Sequence, residues 1–502
     1  QPYRYRRDQD TNGYWGGLAK NAYYAQVPSG LARIAWGDLE LSVSAKSYKR
    51  AVPYRSRYEN DFVDFDDPDS YETDRHLWAD LTYRARLSPV VLLTTRVYGD
   101  TYEFESVRNS SEASACLSAG DASLPTCTFY TPSYSRWAGI EARTSFDWLK
   151  NDRFVTLAGV DERIRGAKLA IDPRDFATGR PLRSSLAFID RSDELFGAYL
   201  QQTWVPTTWL SFNGGARIDN ESRFKGVLSP RVAASVTPWK GGTVKGIYAE
   251  AFRAPTFVET DLQNPIQLRA HDLNPEKVRS VDVSIEQRIG AQRVLVGAFR
   301  SWWTDLIEQH VLTDAEQQEA VRTGQLSILS FGTAQFQNVS SLDNYGVNAA
   351  YEGSAFAEQL RYGLNVTGAV AHKTNADGTT IDALPVAPAV FGNARVSYDL
   401  PGDLPTLAVA THYLSKRPVD RAYDGNWAVK PYADAQLELR ATISGPVPKL
   451  KMLSYRASVN WAVADHGAYV VGPAQTVEKY VTAPQLVPLD TLRFTVGIQC
   501  DF

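Results

Sequence analysis

In the last eleven residues, LRFTVGIQCDF, every second position is apolar: Leu492, Phe494, Val496, Ile498, Cys500 and Phe502. Arg493, Thr495, Gly497, Gln499 and Asp501 stand between them. A period of two predicts a β-strand with one face for hydrocarbon and one for water, because successive side chains leave a strand on opposite faces. Residues 195–220 hold two such runs around Val-Pro-Thr-Thr and predict a hairpin. In its second arm Leu210, Phe212, Gly214, Ala216 and Ile218 alternate with Ser211, Asn213, Gly215, Arg217 and Asp219. Similar runs fall at 76–87, 136–148, 393–400, 432–443 and 453–463, and in the run at 432–443 Leu437 and Glu438 belong to opposite faces. A soluble sandwich would rarely bury the charged face, whereas the wall of a membrane barrel needs both faces.

The connections predict an orientation. Short turns fall at 37–38, 88–89, 150–151, 206–207, 240–241, 290–291, 353–354, 401–402 and 445–446, and longer polar stretches lie between them, at about 51–75, 107–135, 165–192, 253–276 and 305–341. Strict alternation of short and long connections is expected of a barrel with short periplasmic turns and long external loops. Trp36, Phe146, Trp148, Phe154, Trp204, Trp209, Trp239 and Phe356 gather beside the short turns, as an interfacial aromatic belt would. The count back from Phe502 gives about nineteen strands, the first at 29–36 and running towards the periplasm. Because bacterial single-chain barrels hold an even number of strands, at least one more strand is expected ahead of these, with 1–28 as an external loop.

Composition narrows the alternatives. Aromatic residues make up 12% of the 502, Met occurs once and the mean hydropathy is −0.31. No apolar run approaches the ~18 residues of a spanning helix, and no secretory leader pattern is present. A net charge of −4 with acids and bases interspersed argues against a nucleic-acid partner. Cys116 and Cys127 bracket CLSAGDASLPTC, whose Gly, Pro and small residues suit an exposed loop, so a disulfide made in an oxidising compartment is expected, with two free thiols as the alternative. Cys500, on the apolar face of the last strand, serves as a small hydrophobe.

The middle of the chain carries family-level motifs. Residues 247–259 read IYAEAFRAPTFVE and residues 272–286 read DLNPEKVRSVDVSIE. Phe252, Arg253, Ala254 and Pro255 resemble the aromatic-Arg-Ala-Pro segment of TonB-dependent outer-membrane receptors, and Leu273, Pro275 and Glu276 resemble the Leu-x-Pro-Glu turn that follows it there. Ser229-Pro230-Arg231, Asn344-Tyr345-Gly346-Val347 and the terminal Phe502 agree. Ala270-His271 departs from the Asn-Pro that many members carry ahead of the turn. The resemblance implies an all-β fold, an antiparallel transmembrane β-barrel wall occupying 1–502, with about nineteen of the family's twenty-two strands and without its plug. It further implies a monomer in the bacterial outer membrane that contacts lipid and small-molecule cargo and is driven by the TonB complex through a plug. The cargo the resemblance implies is a scarce, bulky nutrient: a ferric siderophore first, cobalamin or a glycan otherwise. A passive porin-like channel is the rival reading.

Candidate chemistry is sparse. The six His residues show no metal-ligand spacing, and neither a nucleophile elbow nor a phosphate-binding glycine loop occurs, so neither an enzyme nor a cofactor is expected. Asp64, Asp66, Asp67 and Asp69 lie in an acidic stretch that suits calcium in ligand type, but without EF-hand spacing a solvated acidic loop is the plainer reading. For cargo, external rings and cations matter most, because rigid aromatics and charge-assisted hydrogen bonds hold a solute in a wet vestibule. Arg4, Tyr14, Trp15, Arg253, Phe257 and Trp303 are the candidates. Inward charges such as Arg84, Arg86, Arg217, Glu438 and Arg440 are expected to meet a plug or water.

Overall fold

A computed structural model describes residues 24–51, 69–110, 116, 121, 123–124, 126–183, 186–264, 267–270, 272–326, 333–382, 384, 387–418, 432–433, 435–447, 450–464, 468–470, 476–477, 480–481, 486–488 and 492–500. Arg4, Tyr14, Trp15, Asp64, Asp66, Asp67 and Phe502 lie outside them. The described residues form one sheet of twenty-three strands, antiparallel but for one two-residue pairing, and three two-stranded ribbons. Four of the twenty-three are short loop strands, Ala25–Gln26, Asp172–Asp175, Gln267–Leu268 and Thr380–Ile381. The other nineteen make the wall. They are β1 (Ser29–Trp36), β2 (Leu39–Ala51), β3 (Tyr71–Ser88), β4 (Val91–Ser110), β5 (Cys127–Asp147), β6 (Phe154–Ala170), β7 (Phe188–Thr207), β8 (Leu210–Glu221), β9 (Phe224–Val236) and β10 (Gly242–Arg253). The wall continues as β11 (Glu276–Ile289), β12 (Gln292–Val311), β13 (Ala334–Ala355), β14 (Leu360–Asn375), β15 (Val390–Asp399), β16 (Thr406–Leu414), β17 (Gln436–Val447), β18 (Leu450–Ala464) and β19 (Leu492–Cys500).

Each strand pairs with its sequence neighbour, and β1 and β19 each have one ladder partner among the described residues. Period-two patterning fixes the register, because a one-residue slip would turn every apolar side chain to the wrong face. Leu41 lies opposite Leu81 and Leu81 opposite Val97, while on the other face Asp80 lies opposite Tyr98. The outward surface is apolar and open: Ile34, Leu77, Val296, Val347, Phe494 and Val496 are all exposed, as is Leu437 beside Tyr413. That surface is a fault in water and a requirement in hydrocarbon. At the short-turn end Trp36, Trp148, Trp204, Trp209, Trp239 and Phe356 are exposed in a belt, with Phe146 stacked on Trp148 at 5.6 Å and Trp204 on Phe212 at 5.8 Å.

Strict alternation of turn length fails at one connection. β8 and β9 are joined through Ser222 and Arg223 alone, on the end where long loops were expected. The strands also run further into those loops than the polar composition implied. β4 ends at Ser110 and β5 starts at Cys127, and their ladder is continuous because polar side chains tie it together above the apolar band. Thr128 donates to Asn109 at 2.6 Å and Tyr130 to Glu105 at 3.3 Å across it, and Tyr71 of β3 donates to the same Glu105 at 2.8 Å.

Several inward charges on β1 to β8 are matched. Arg84 and Arg33 share Glu40, Arg96 pairs with Asp80, and Arg217 lies between Asp161 at 2.8 Å and Asp219 at 2.5 Å. Large inward groups lie flat over glycines of the next strand: Tyr98 covers Gly139, Tyr199 covers Gly159 and Arg217 covers Gly197, where any Cβ would collide with them.

Candidate functional site

At the end opposite the aromatic belt, the chain between β10 and β11 folds back onto the wall. Its first element is α1 (Phe257–Asp261), started by Thr256, whose hydroxyl accepts from the Glu259 amide at 3.2 Å while Glu259 Oε2 accepts from the Thr256 amide at 2.7 Å. The reciprocal pair satisfies backbone donors that a helix start leaves open. Arg253 binds the same carboxylate through Nη1 and Nη2 at 2.9 and 3.0 Å, and donates from Nε to Glu276 Oε2 at 2.6 Å. Glu276 Oε1 in turn accepts from the Ile307 amide at 2.8 Å. One guanidinium therefore joins the aromatic-Arg-Ala-Pro segment to the Leu-x-Pro-Glu turn and both to β12.

A second clamp was not visible in the sequence. The side chains of Asp193 and Glu221 are fully buried, and two arginines serve them. Arg165 reaches Asp193 at 2.6 Å and Glu221 at 3.0 Å, while Arg223 reaches Asp193 at 3.0 Å and Glu221 at 2.5 Å. Arg223 Nη1 also donates to the Pro255 carbonyl at 2.7 Å, and its guanidinium stands 4.5 Å from the centre of the Phe257 ring. The tight β8–β9 turn thus presents the cation on which the loop rests. Arg191 donates to Asp261 at 2.6 Å. Burial pushes the Asp261 carboxyl up, but hydrogen bonds from Arg191 and Thr260 and the charges of Arg191 and Arg269 outweigh it and hold the group below the usual carboxylate range.

The next loop is knitted to the first. α2 (Asp314–Arg322) starts on Thr313 with the same reciprocal pairing, here with Glu316. Leu268 from the first loop packs with Leu312, Ala320 and Leu326 of the second, and Ala270 and Leu273 pack with Ile307. Gln267 and Leu268 add in parallel to Ala334 and Gln335 of β13, and Gln309 donates to Gln267 at 2.6 Å. A bulge at Asp305, with φ of 58°, turns its carbonyl to Asn338, which donates to it at 2.6 Å and to the Asn274 carbonyl at 3.0 Å. The two loops form one shelf with its own small core.

Of the six cargo candidates, Arg253 and Phe257 come together in this shelf, each engaged by a partner within the chain. Trp303 is half-buried on the wall, opposite Val278 and Leu342, with Nε1 3.3 Å from Ser301 Oγ. Cys116 and Cys127 are joined as a disulfide with Cα atoms 5.5 Å apart, buried beside Leu124, Phe129 and Leu182. Non-reducing digestion of the membrane-assembled protein should yield their peptides linked in mass spectra, and recovery of both as alkylated free thiols would contradict the bridge. Asp69 is the described member of the acidic stretch, and among the described residues no group of three His, Cys, Asp or Glu side chains is placed to hold a metal ion.

Residues 2–461 match the sequence profile of the family described as "TonB dependent receptor-like, beta-barrel". A search of curated proteins returns no match. Among solved structures the chain is similar to the copper transporter OprC, with a TM-score of 0.67, 14% identity and coverage of 95% of this chain and 72% of that one. The FrpB iron transporter from Neisseria meningitidis gives a TM-score of 0.65 at 14% identity, covering 97% and 73%. The ferric yersiniabactin uptake receptor FyuA from Yersinia pestis gives 0.66 at 12% identity, covering 95% and 71%. At such identities the structural likenesses establish the fold.

Proposed function

The chain belongs to the TonB-dependent receptor β-barrel family of the bacterial outer membrane, and from that premise we propose that it is the wall of an energised importer for a scarce, bulky nutrient. A ferric siderophore is the first choice of cargo, with cobalamin or a glycan as alternatives. The observation that carries the reading is the nineteen-stranded wall with an apolar outside and a charged inside. A wall of that width encloses more space than its own side chains fill, and transporters of this size hold a plug. On this reading a plug and three further strands complete the barrel as a monomer.

The shelf gives cargo a firm rim, because two clamps and a small core hold its residues in place before anything binds. Arg4, Tyr14, Trp15, Arg253, Phe257 and Trp303 remain the proposed cargo contacts, with Arg253 and Phe257 acting through the shelf they help to hold. No chemistry on the cargo is involved. The TonB complex pulls on the plug, and the passage opens along the wall.

Uptake of labelled ferric siderophores by cells producing the full-length protein should require TonB and the proton gradient. Loss of TonB should remove nearly all uptake above background. Uptake that continues unchanged without TonB would favour the porin-like rival.

A further inference from the structure

The inner face of β13 to β19 carries a regular pattern of its own. One cross-strand row there runs through Gly363, Arg395, Ala410, Arg440, Asn460 and Arg493 on successive strands β14 to β19. Arginine therefore stands on every second strand, with a small or short residue between. Two strand spacings separate neighbouring arginines by about 10 Å. Glu352 continues the row on β13, with Arg395 Nη2 3.7 Å from it. The row above carries Asn365, Asn393, His412 and Glu438 on β14 to β17. Gly363 and Ala410 leave the floor low, and the two rows line a trough of about 880 Å³.

The chemistry of the lining selects its occupant. The Arg395 side chain is 74% exposed although Glu352 is near, and the Arg440 Nε–H is spent on the Asn460 side-chain oxygen at 2.5 Å rather than on a carboxylate. Arg395 and Arg440 both face the trough, and Glu352, the acid nearest Arg395, is already bonded by Arg293 at 2.7 Å. Amide and imidazole groups complete a lining rich in hydrogen-bond donors, with Asn393 bonded to both Asn365 and His412. Guanidinium forks pair with planar oxyanions through two parallel hydrogen bonds. On the opposite side of the wall Arg217, by contrast, is neutralised by Asp161 and Asp219.

We propose that this trough is an oxyanion-binding track on the inner wall, along which a small polyanionic solute passes. The proposal deepens the importer reading and rests on it for the direction of traffic: cargo or its bound oxygens carry negative charge, and the passage opens on the β13–β19 side.

The test uses the full-length receptor in cells, with Cys500→Ala to remove the free thiol and Asn365→Cys placed in the trough. Reaction rates are compared for sulfonatoethyl methanethiosulfonate, an anion, and trimethylammonioethyl methanethiosulfonate, a cation. The anion should be favoured on the order of tenfold over its preference for a simple thiol. Arg395→Gln with Arg440→Gln, both within the wall but outside its hydrogen-bonded ladder, should bring the ratio back towards that of the simple thiol. Thr203→Cys on β7 should show no such preference. A ratio at position 365 that matches Thr203→Cys, that survives both Gln substitutions, or that cannot be measured because neither reagent enters, would overturn the track. The ratio is a property of the wall and should be the same with and without TonB, so that the importer reading is judged separately, by the TonB requirement of uptake.

Discussion

Arg223→Met should loosen the shelf by about 3 to 5 kcal/mol, the cost of leaving buried carboxylates short of a charge partner. Methionine keeps the bulk of the side chain over Phe257 and removes both ion pairs and the donor to the Pro255 carbonyl. Asp193 and Glu221 would then share Arg165 alone, in a site with no exposed side-chain surface for either acid. Hydrogen exchange over 254–275 reads the effect directly. Protection there should fall by roughly a hundredfold or more, at about tenfold per 1.4 kcal/mol, while β3 to β5 stay as protected as before. Unchanged protection in the loop would mean that the shelf is held by its apolar contacts, and that the buried quartet adds little.

Val409→Arg should cost about 2 to 4 kcal/mol in folding into bilayers, because its side chain points into hydrocarbon midway along a spanning strand. Val409 is exposed on the outward face and lies opposite Val396 and Ala441. Thr442→Lys, at the same depth but on the inner face opposite Ala408 and Ser458, should cost far less. The pair separates the facing of the wall from any general sensitivity of β16 and β17. Equal costs in a urea titration of bilayer-inserted protein would overturn the facing.

The wall was legible because its rule is local. Two residues of sequence fix which way a side chain points, so β19 could be read from Leu492 to Cys500 and the strand count reached nineteen. The shelf was hidden for the opposite reason: Glu276 is 23 residues from Arg253, and Arg165 is 56 from Glu221. No spacing rule links such positions. Some of it was nevertheless written locally, since Thr256-x-x-Glu259 and Thr313-x-x-Glu316 are helix-start signals, and both helices form where those signals stand. The β8–β9 connection departs from the alternation because the charges of Arg223 and Glu221 are drawn inward to Asp193 and Arg165 instead of standing in a loop.

The glycines under Tyr98, Tyr199 and Arg217 set the relief of the bore as well as its packing. With each ring or guanidinium laid along the sheet, a body travelling past β4 to β8 meets broad faces instead of projecting tips. Interlocking contacts resist sliding in steps, since every tip must be lifted over the next; faces resist only in proportion to the area touched. On that side the bore offers nothing for a moving part to catch on, and its resistance to motion stays even along the stroke.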